Sequence, residues 1–524
     1  MSNDAQAYSR SAIALARQGR LAEAATAFEQ ALWLKPDDAD TLSNLGNIHF
    51  LQGNSDAAIG RYRQALAVRP EFGGAHYNLG VALQQRGQLD EAMVCYRRAV
   101  ALECGHLDAH VNLGNALKDL GRFDEAIACY QQVLQLQPNF AEVHVNLGIA
   151  LGEQQHWDEA ISCYHHALRL KPTYVEAHTT LGIAMTKLGR FDEAMQWYDK
   201  ALGLQGDNEG ARWNRALLLL MLGDFKHGWP EYEWRWAEHK FARRQFAQPL
   251  WDERELRGRS ILIHAEQGLG DTLQFIRYLP MVRDRGGRTI VECQAKLVPL
   301  LAEMSGIDQL VPRETPLPHF DVQAPLLSLP GIFRTTLDTI PAAVPYLHAD
   351  SELVNQWREI LHDTSKTLRI GIAWQGSKTN TNDRLRSIPL AHFGRLAAVP
   401  GVQLVSLQQG WGTEQMRDLK GQFAVLDLEG RRGEDSLSFA NVAAIMKNLD
   451  LVVCCDTSMA HLAGALGVPV WIGLQFAHDW RWLLNRDDSP WYPSARLFRQ
   501  ARPNDWEGVF ERMAQALEVK VAAK

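Results

Sequence analysis

No apolar run in this 524-residue sequence approaches the roughly 20 residues that a bilayer-spanning helix needs. The opening residues MSNDAQAYSR have neither the basic start nor the apolar core of a secretory leader, so a cytoplasmic chain is expected. Cysteine is sparse: seven residues, an odd number, with no CxxC pair. That argues against a disulfide framework and fits a reducing compartment. Positive charge is not in excess, since 54 Lys+Arg against 61 Asp+Glu leave a net charge of -7. Non-specific nucleic-acid binding is therefore not expected. Two nucleotide signatures are missing as well. Gly268-Leu269-Gly270 is not a dinucleotide fingerprint, because Leu273 stands where the third glycine belongs, and no Gly-Lys-Ser/Thr follows to make a P-loop.

What is present is a globular composition, 46% hydrophobic and 22% charged, at a length that suggests about three domains. Glycines 46, 80, 114, 148 and 182 recur every 34 residues. In phase with them run Gly19, Gly53, Gly87, Gly121, Gly189 and Gly223, interrupted at Gln155, and the aromatic series Phe28, Tyr62, Tyr96, Tyr130, Tyr164, Tyr198 and Tyr232. Small residues let paired helices approach, aromatics fill the space beside them, and Pro36, Pro70, Pro138 and Pro172 separate units. The pattern resembles the tetratricopeptide repeat, with about seven units in a helical superhelix over residues 1–242. Cys95, Cys129 and Cys163, one repeat apart, read as packing residues, and Asp38-Ala39-Asp40 reads as caps in an inter-repeat turn, not a metal motif.

Asn44, Asn78, Asn112 and Asn146, with Asn214, share one repeat position on the first helices. Asparagine is a poor helix-interior residue, so its recurrence needs a cause. One is a concave ladder gripping an extended protein or peptide; the other is hydrogen bonding between neighbouring repeats. The ladder resembles that of O-linked N-acetylglucosamine transferases. Beyond it, Trp229, Tyr232, Trp234 and Trp236 suit an aromatic end cap, and residues 243–259 read as a linker.

From Ser260 strands alternate with helices, which implies parallel sheets in two successive α/β units, at 260–350 and 351–524. The expected elements include a strand at Ser260–Ala265, a helix at Thr272–Val282 and a loop-rich proline zone ending at Tyr346. In the second unit, Leu451–Cys455 is a strand, Asp456-Thr457-Ser458 offers three helix-capping side chains, Met459–Leu466 is a helix, and Val468–Trp471 begins another strand. A helix start at a strand's C-terminal edge suits a phosphate. Asp271, in the turn after the first strand, is placed either to take a proton from an acceptor hydroxyl or to cap its helix. The loop GSKTNTNDRLRSIPLAHF, with Lys378, Arg384 and Arg386, either closes over a diphosphate or is simply a solvated basic loop.

Three motifs carry a family resemblance: GLGD at Gly268–Asp271, Arg386-Ser387-Ile388-Pro389, and DTSMAHLAGALGVP at Asp456–Pro469. Together they resemble the ADP-heptose:lipopolysaccharide heptosyltransferase-like family, of GT-B fold with two Rossmann-like domains. The resemblance implies Asp271 as acceptor base and a donor site at Gly268, Gly270, Arg384, Arg386, Asp456, Thr457 and Ser458, with His461 nearby. It departs from the family pattern at Ser458, usually Gly, at Arg386, usually Lys, and in the tail from Ala477 to Gln500. Joining repeats to such a core is instead the plan of O-linked N-acetylglucosamine transferases. The implied activity is inverting transfer from a nucleotide sugar, ADP-linked by motif or UDP-linked by plan. It needs neither cofactor nor metal; no DxD lies in this half. The rival expectation is a non-catalytic repeat scaffold with a degenerate nucleotide-sugar domain.

Overall fold

Seven helix pairs fill the first part of the chain, from Ser2–Arg17 with Leu21–Leu34 to Glu209–Met221 with Phe225–Tyr232. The computed structural model describes residues 2–237, 243–361, 368–378, 383–419, 421–429 and 438–523. The two in-phase glycine series do different work. A Cβ at Gly46, Gly80 or Gly114 would fall 2.6 Å from the ring of Tyr62, Tyr96 or Tyr130, so glycine here lets paired helices close on the tyrosine. The second series turns the chain between paired helices at φ of 73° to 82°, and Gln155 adopts φ 66° at the interrupted position.

A ladder absent from the sequence reading supports the pairs. His76, His110, His144 and His178 each place Nε2 2.8–3.1 Å from the carbonyl oxygen six residues earlier, tying a first helix to the loop before it. Ion pairs such as Arg69–Asp40 and Lys171–Glu142 tie the two helices of one repeat at the exposed surface, and Arg63–Glu91 and Arg97–Glu125 join neighbouring repeats. Asp38 caps its helix by accepting the Thr41 N–H, as expected of that turn.

The chain forms two compact units, residues 1–188 with 199–206, and 189–198 with 207–524. The division falls inside the last repeats and not at 242. The reason is apolar: Ala216, Leu220, Phe225, Trp229 and Tyr232 of the final pair join the core of the α/β half with Trp251, Leu256 and Ile261. The segment expected as a linker also packs there, with the Trp251 N–H on the Gln323 carbonyl at 2.8 Å.

The first sheet has four parallel strands in the order β3-β2-β1-β4: β1 (Ser260–His264), β2 (Arg288–Cys293), β3 (Gln309–Pro312) and β4 (Val322–Pro325). Strand β4 lies in the zone expected to be loop; its four residues are all buried beside β1. The second sheet has six parallel strands in the order β10-β9-β8-β5-β6-β7: β5 (Leu368–Ala373), β6 (Val402–Ser406), β7 (Val425–Leu426), β8 (Leu451–Cys455), β9 (Val470–Leu474) and β10 (Ala495–Arg499). The architecture is thus a repeat superhelix followed by two Rossmann-like α/β layers. The expected helix at Thr272–Val282 is divided into α1 (Leu269–Phe275), a 3-10 turn and Leu279–Arg283, the last with Pro280 in its first turn. Three further helices matter below: α2 (Asp383–Arg386), α3 (Ser458–Ala465) and α4 (Trp506–Ala522). Helix α1 packs directly on α3, which brings the C-terminal edges of β1 and β8 together. Among the described residues, no helix is long and apolar enough to cross a membrane.

Candidate active site

The GLGD turn follows β1, with Gly268 as N-cap of α1. Asp271 is not that cap. It sits three residues into the helix, where Oδ2 accepts the Gly268 N–H at 2.9 Å and Oδ1 is ion-paired with Arg481 Nη2. Gly270 is where the two α/β layers touch. A Cβ there would come 2.8 Å from His461 Cδ2 and 3.5 Å from the Ser458 Cα.

On the other side, Thr457 is the N-cap of α3, but its side chain makes no capping bond; among the described residues its buried Oγ1 has no partner. The expectation of three capping side chains is corrected to this extent. Asp456 instead belongs to a charge cluster: burial, then the Asp479 carboxylate, pushes its carboxyl up, against the pull of Arg386 and Arg481. His461 is buried, with Nδ1 2.9 Å from the Tyr492 hydroxyl and its ring stacked on Trp482 at 5.5 Å. Burial, then the Arg481 charge, pushes its imidazole down to about 3, so a neutral ring supports the helix start. Arg386, on α2, donates from Nε to Asp383 at 3.1 Å, and Gly376 leaves room for both side chains. Arg384 on the same turn is exposed, and residues 379–382 of that loop lie outside the described residues.

Arg481 is the residue that sequence reasoning missed. It lies in the 3-10 turn Trp480–Trp482, capped by Asp479, whose Oδ1 accepts both the Arg481 N–H at 3.0 Å and Nη1 at 2.9 Å. Its Nε donates to Gln274 Oε1 of α1 at 2.8 Å, and the guanidinium lies 4.5 Å above the Trp480 ring. Arg277 makes a second tie to the tail, donating to the Trp491 carbonyl at 2.6 Å and the Tyr346 hydroxyl at 2.9 Å. The stretch Asp479-Trp480-Arg481-Trp482 shows a cap and a cation in sequence, but nothing in it names a partner 210 positions away.

Beneath the turn is another buried pair. Arg235, at the end of the aromatic cap, donates to Glu266 at 2.9 Å and to Ser328 at 2.7 Å. Burial, opposed mainly by Arg235, pushes the Glu266 carboxyl up to about 7. The cap therefore also supplies a cation under the turn that leads into GLGD.

The site so assembled offers the carboxylates of Asp271, Asp456 and Asp479, two guanidinium groups and a helix start, and among the described residues buried Thr457 Oγ1 and Gln274 Nε2 have no partner. Buried polar atoms in that condition suit a polar ligand. A cavity of about 250 Å3, lined in part by His348, Arg358 and Lys447, lies apart from these residues.

The asparagine ladder resolves residue by residue. Asn78 Nδ2 donates to Asn47 of the preceding repeat at 2.9 Å, and Asn112 reaches the Tyr77 hydroxyl at 3.4 Å. Both bonds run between repeats, as the stacking alternative anticipates. Asn44 and Asn146 are half-buried, and Asn214 bonds within its own helix, to the Gly210 carbonyl.

Tetratricopeptide-repeat family models match residues 3–71, 43–103, 114–155 and 145–209. The model for glycosyltransferase family 9 (heptosyltransferase) matches residues 434–502, which include Asp456, Thr457, His461, Asp479 and Arg481 but not Asp271 or Arg386. The chain is 27% identical to Protein FlbA of Caulobacter vibrioides over 323 residues, 58% of this chain and 54% of the relative, so it spans about half that protein's length. Among solved structures, YrrB, described as a TPR protein with an unusual peptide-binding site, aligns at 23% identity and TM-score 0.34, covering 37% of this chain and all of its own. A repeat protein from Parabacteroides merdae aligns at 15% identity and TM-score 0.39, covering 44% of this chain and 91% of its own. The chain therefore carries tetratricopeptide repeats over residues 3–103 and 114–209 and, in its second α/β unit, a segment that matches the glycosyltransferase family 9 (heptosyltransferase) model.

Proposed function

We propose that this protein transfers a sugar from a nucleotide-diphosphate donor to an acceptor, with inversion and without a metal. Asp271 takes the acceptor proton. Arg386, Arg481 and the start of α3 at Thr457-Ser458 meet the charge of the departing nucleoside diphosphate, the step where fixed dipoles and cations help most. The observation that carries the proposal is the meeting of the GLGD turn with the start of α3 at Gly270, inside one cluster of opposed charges. The repeats supply a surface for a protein acceptor or partner, and Asn44 and Asn146 are the ladder positions most open to that role. A competing reading, a scaffold with a degenerate sugar-nucleotide domain, draws on one fact: both oxygens of Asp271 already accept a hydrogen bond.

The deciding measurement is nucleoside diphosphate release from ADP-heptose and UDP-N-acetylglucosamine, with and without a lysate acceptor fraction. Release from either donor supports transfer. Release from neither, with both donors bound, favours the scaffold.

A further inference from the structure

We propose that Arg481 is a positioning residue that exchanges partners during the reaction. It holds Asp271 while no donor is present; the diphosphate of an incoming donor draws its Nη2 arm away and leaves Asp271 free for the acceptor proton. The inference rests on the transfer reading above.

Three observations lead to it. The guanidinium serves two carboxylates at once, Asp479 through Nη1 and Asp271 through Nη2, while Nε is held by Gln274. Losing Asp271 leaves the other two anchors in place, so the exchange moves one arm of a side chain whose position stays fixed. Arg481 also lies beside the start of α3: its partner Asp271 adjoins Gly270, which meets Ser458 and His461, the neighbouring Trp482 stacks on His461, and Thr457 Oγ1, without a partner among the described residues, is buried at the same helix start. A diphosphate there carries more charge than the single carboxylate it displaces and offers a guanidinium two oxygens in its own plane. Finally, a carboxylate that takes a proton while paired gives up a charge-assisted bond, so release of Asp271 favours its work as a base. In the step itself the acceptor oxygen bonds to the anomeric carbon as its proton passes to Asp271. The bond from that carbon to the diphosphate breaks, its electron pair leaves with the nucleoside diphosphate, and Arg481 and Arg386 face the new charge.

The exchange makes Asp271 a competitor of the diphosphate, which no purely structural ion pair would be. The test is calorimetric titration of ADP, UDP, GDP and CDP into the full chain as wild type, Asp271→Asn, Arg481→Lys, Arg481→Gln and the Asp271→Asn/Arg481→Gln double variant. Asp271→Asn, which keeps the bond to Gly268, is expected to bind the preferred diphosphate about fivefold or more tighter, a coupling of ordinary size. Arg481→Gln is expected to bind it at least tenfold more weakly, the double variant no better, and Arg481→Lys in between. Equal or weaker binding by Asp271→Asn overturns the exchange, and that comparison stands even if Arg481→Gln does not fold. A tighter affinity that persists in the double variant overturns it too, since the gain then does not pass through Arg481. No binding of any of the four by wild type overturns the transfer reading itself.

Discussion

Charged side chains are used in opposite ways in the two halves of this molecule. In the repeats they pair at the surface, within one helix pair as Arg69 does with Asp40 or between neighbouring repeats as Arg97 does with Glu125, both partners of each pair being well exposed. In the α/β half they pair inside, as Arg235 does with Glu266 and, 210 positions apart, Arg481 does with Asp271. Exposed pairs are screened and contribute little, so the repeats depend on close helix packing for stability. Buried pairs are costly to break because the remaining charge is left without water. Charge thus decorates the repeats, whereas in the α/β half it holds the site.

Four tests press on this contrast. The largest effect belongs to the site: Asp271→Asn is expected to reduce turnover by about 10^3-fold or more while the repeats stay folded, a loss within the range of general-base removal. Near-normal turnover would exclude the base role. Acidification comes next. His264 and His478 are pushed down to about 4, each first by burial, and His461 to about 3. These rings stay neutral when folded but take a proton when unfolded, so their stabilisation is lost as pH falls from about 6.5 toward 4. Glu266 and Asp456, whose carboxyls are raised, bind protons more readily when folded and oppose part of that loss. Of the 16 tryptophans only Trp33 and Trp157 precede residue 189, so indole fluorescence follows the α/β half. A fluorescence midpoint that does not fall between pH 6.5 and 4.5 would contradict this account.

Third, Arg235→Ala should destabilise the fluorescence transition by about 3–5 kcal/mol, because Glu266 is left buried beside Asp271. Its counterpart in the repeats, Arg69→Ala, should cost less than about 1 kcal/mol in the far-ultraviolet dichroism transition. Equal losses in chemical denaturation would erase the contrast. Last among the packing changes, Gly114→Val drives a side chain into Tyr130 and should cost about 1–3 kcal/mol, read by dichroism with fluorescence little changed.

The same contrast explains what the sequence revealed. Periodicity made the repeats legible down to the turn glycines and the Asp38 cap, because each repeat's contacts recur at one offset. The GLGD turn and the start of α3 were legible as strand-edge features for a similar reason: each is local. Strand β4 was not, since four residues among prolines carry no alternation, and its place is fixed by β1 on one side and by the Pro249–Trp251 segment on the other. Nor was Arg481, whose partners Gln274 and Asp271 are more than 200 positions away. The capping role assigned to Thr457 failed: its side chain makes no capping bond, and among the described residues its buried Oγ1 has no partner. The histidine ladder was within reach, since His76, His110, His144 and His178 share the repeat period, but its hydrogen bonds run to carbonyl oxygens that no side-chain pattern displays.

The span between Asp271 and Arg481 also sets an order of events during synthesis. At about 10 residues per second the ribosome needs about 20 s to add the 210 positions that separate them. During that interval the repeats are already outside the tunnel and able to fold and meet partners, while the GLGD turn waits for its guanidinium. On the transfer reading proposed above, a nascent chain can therefore bind before it can catalyse, and one that stalls ahead of residue 481 keeps its repeats without the guanidinium that pairs with Asp271.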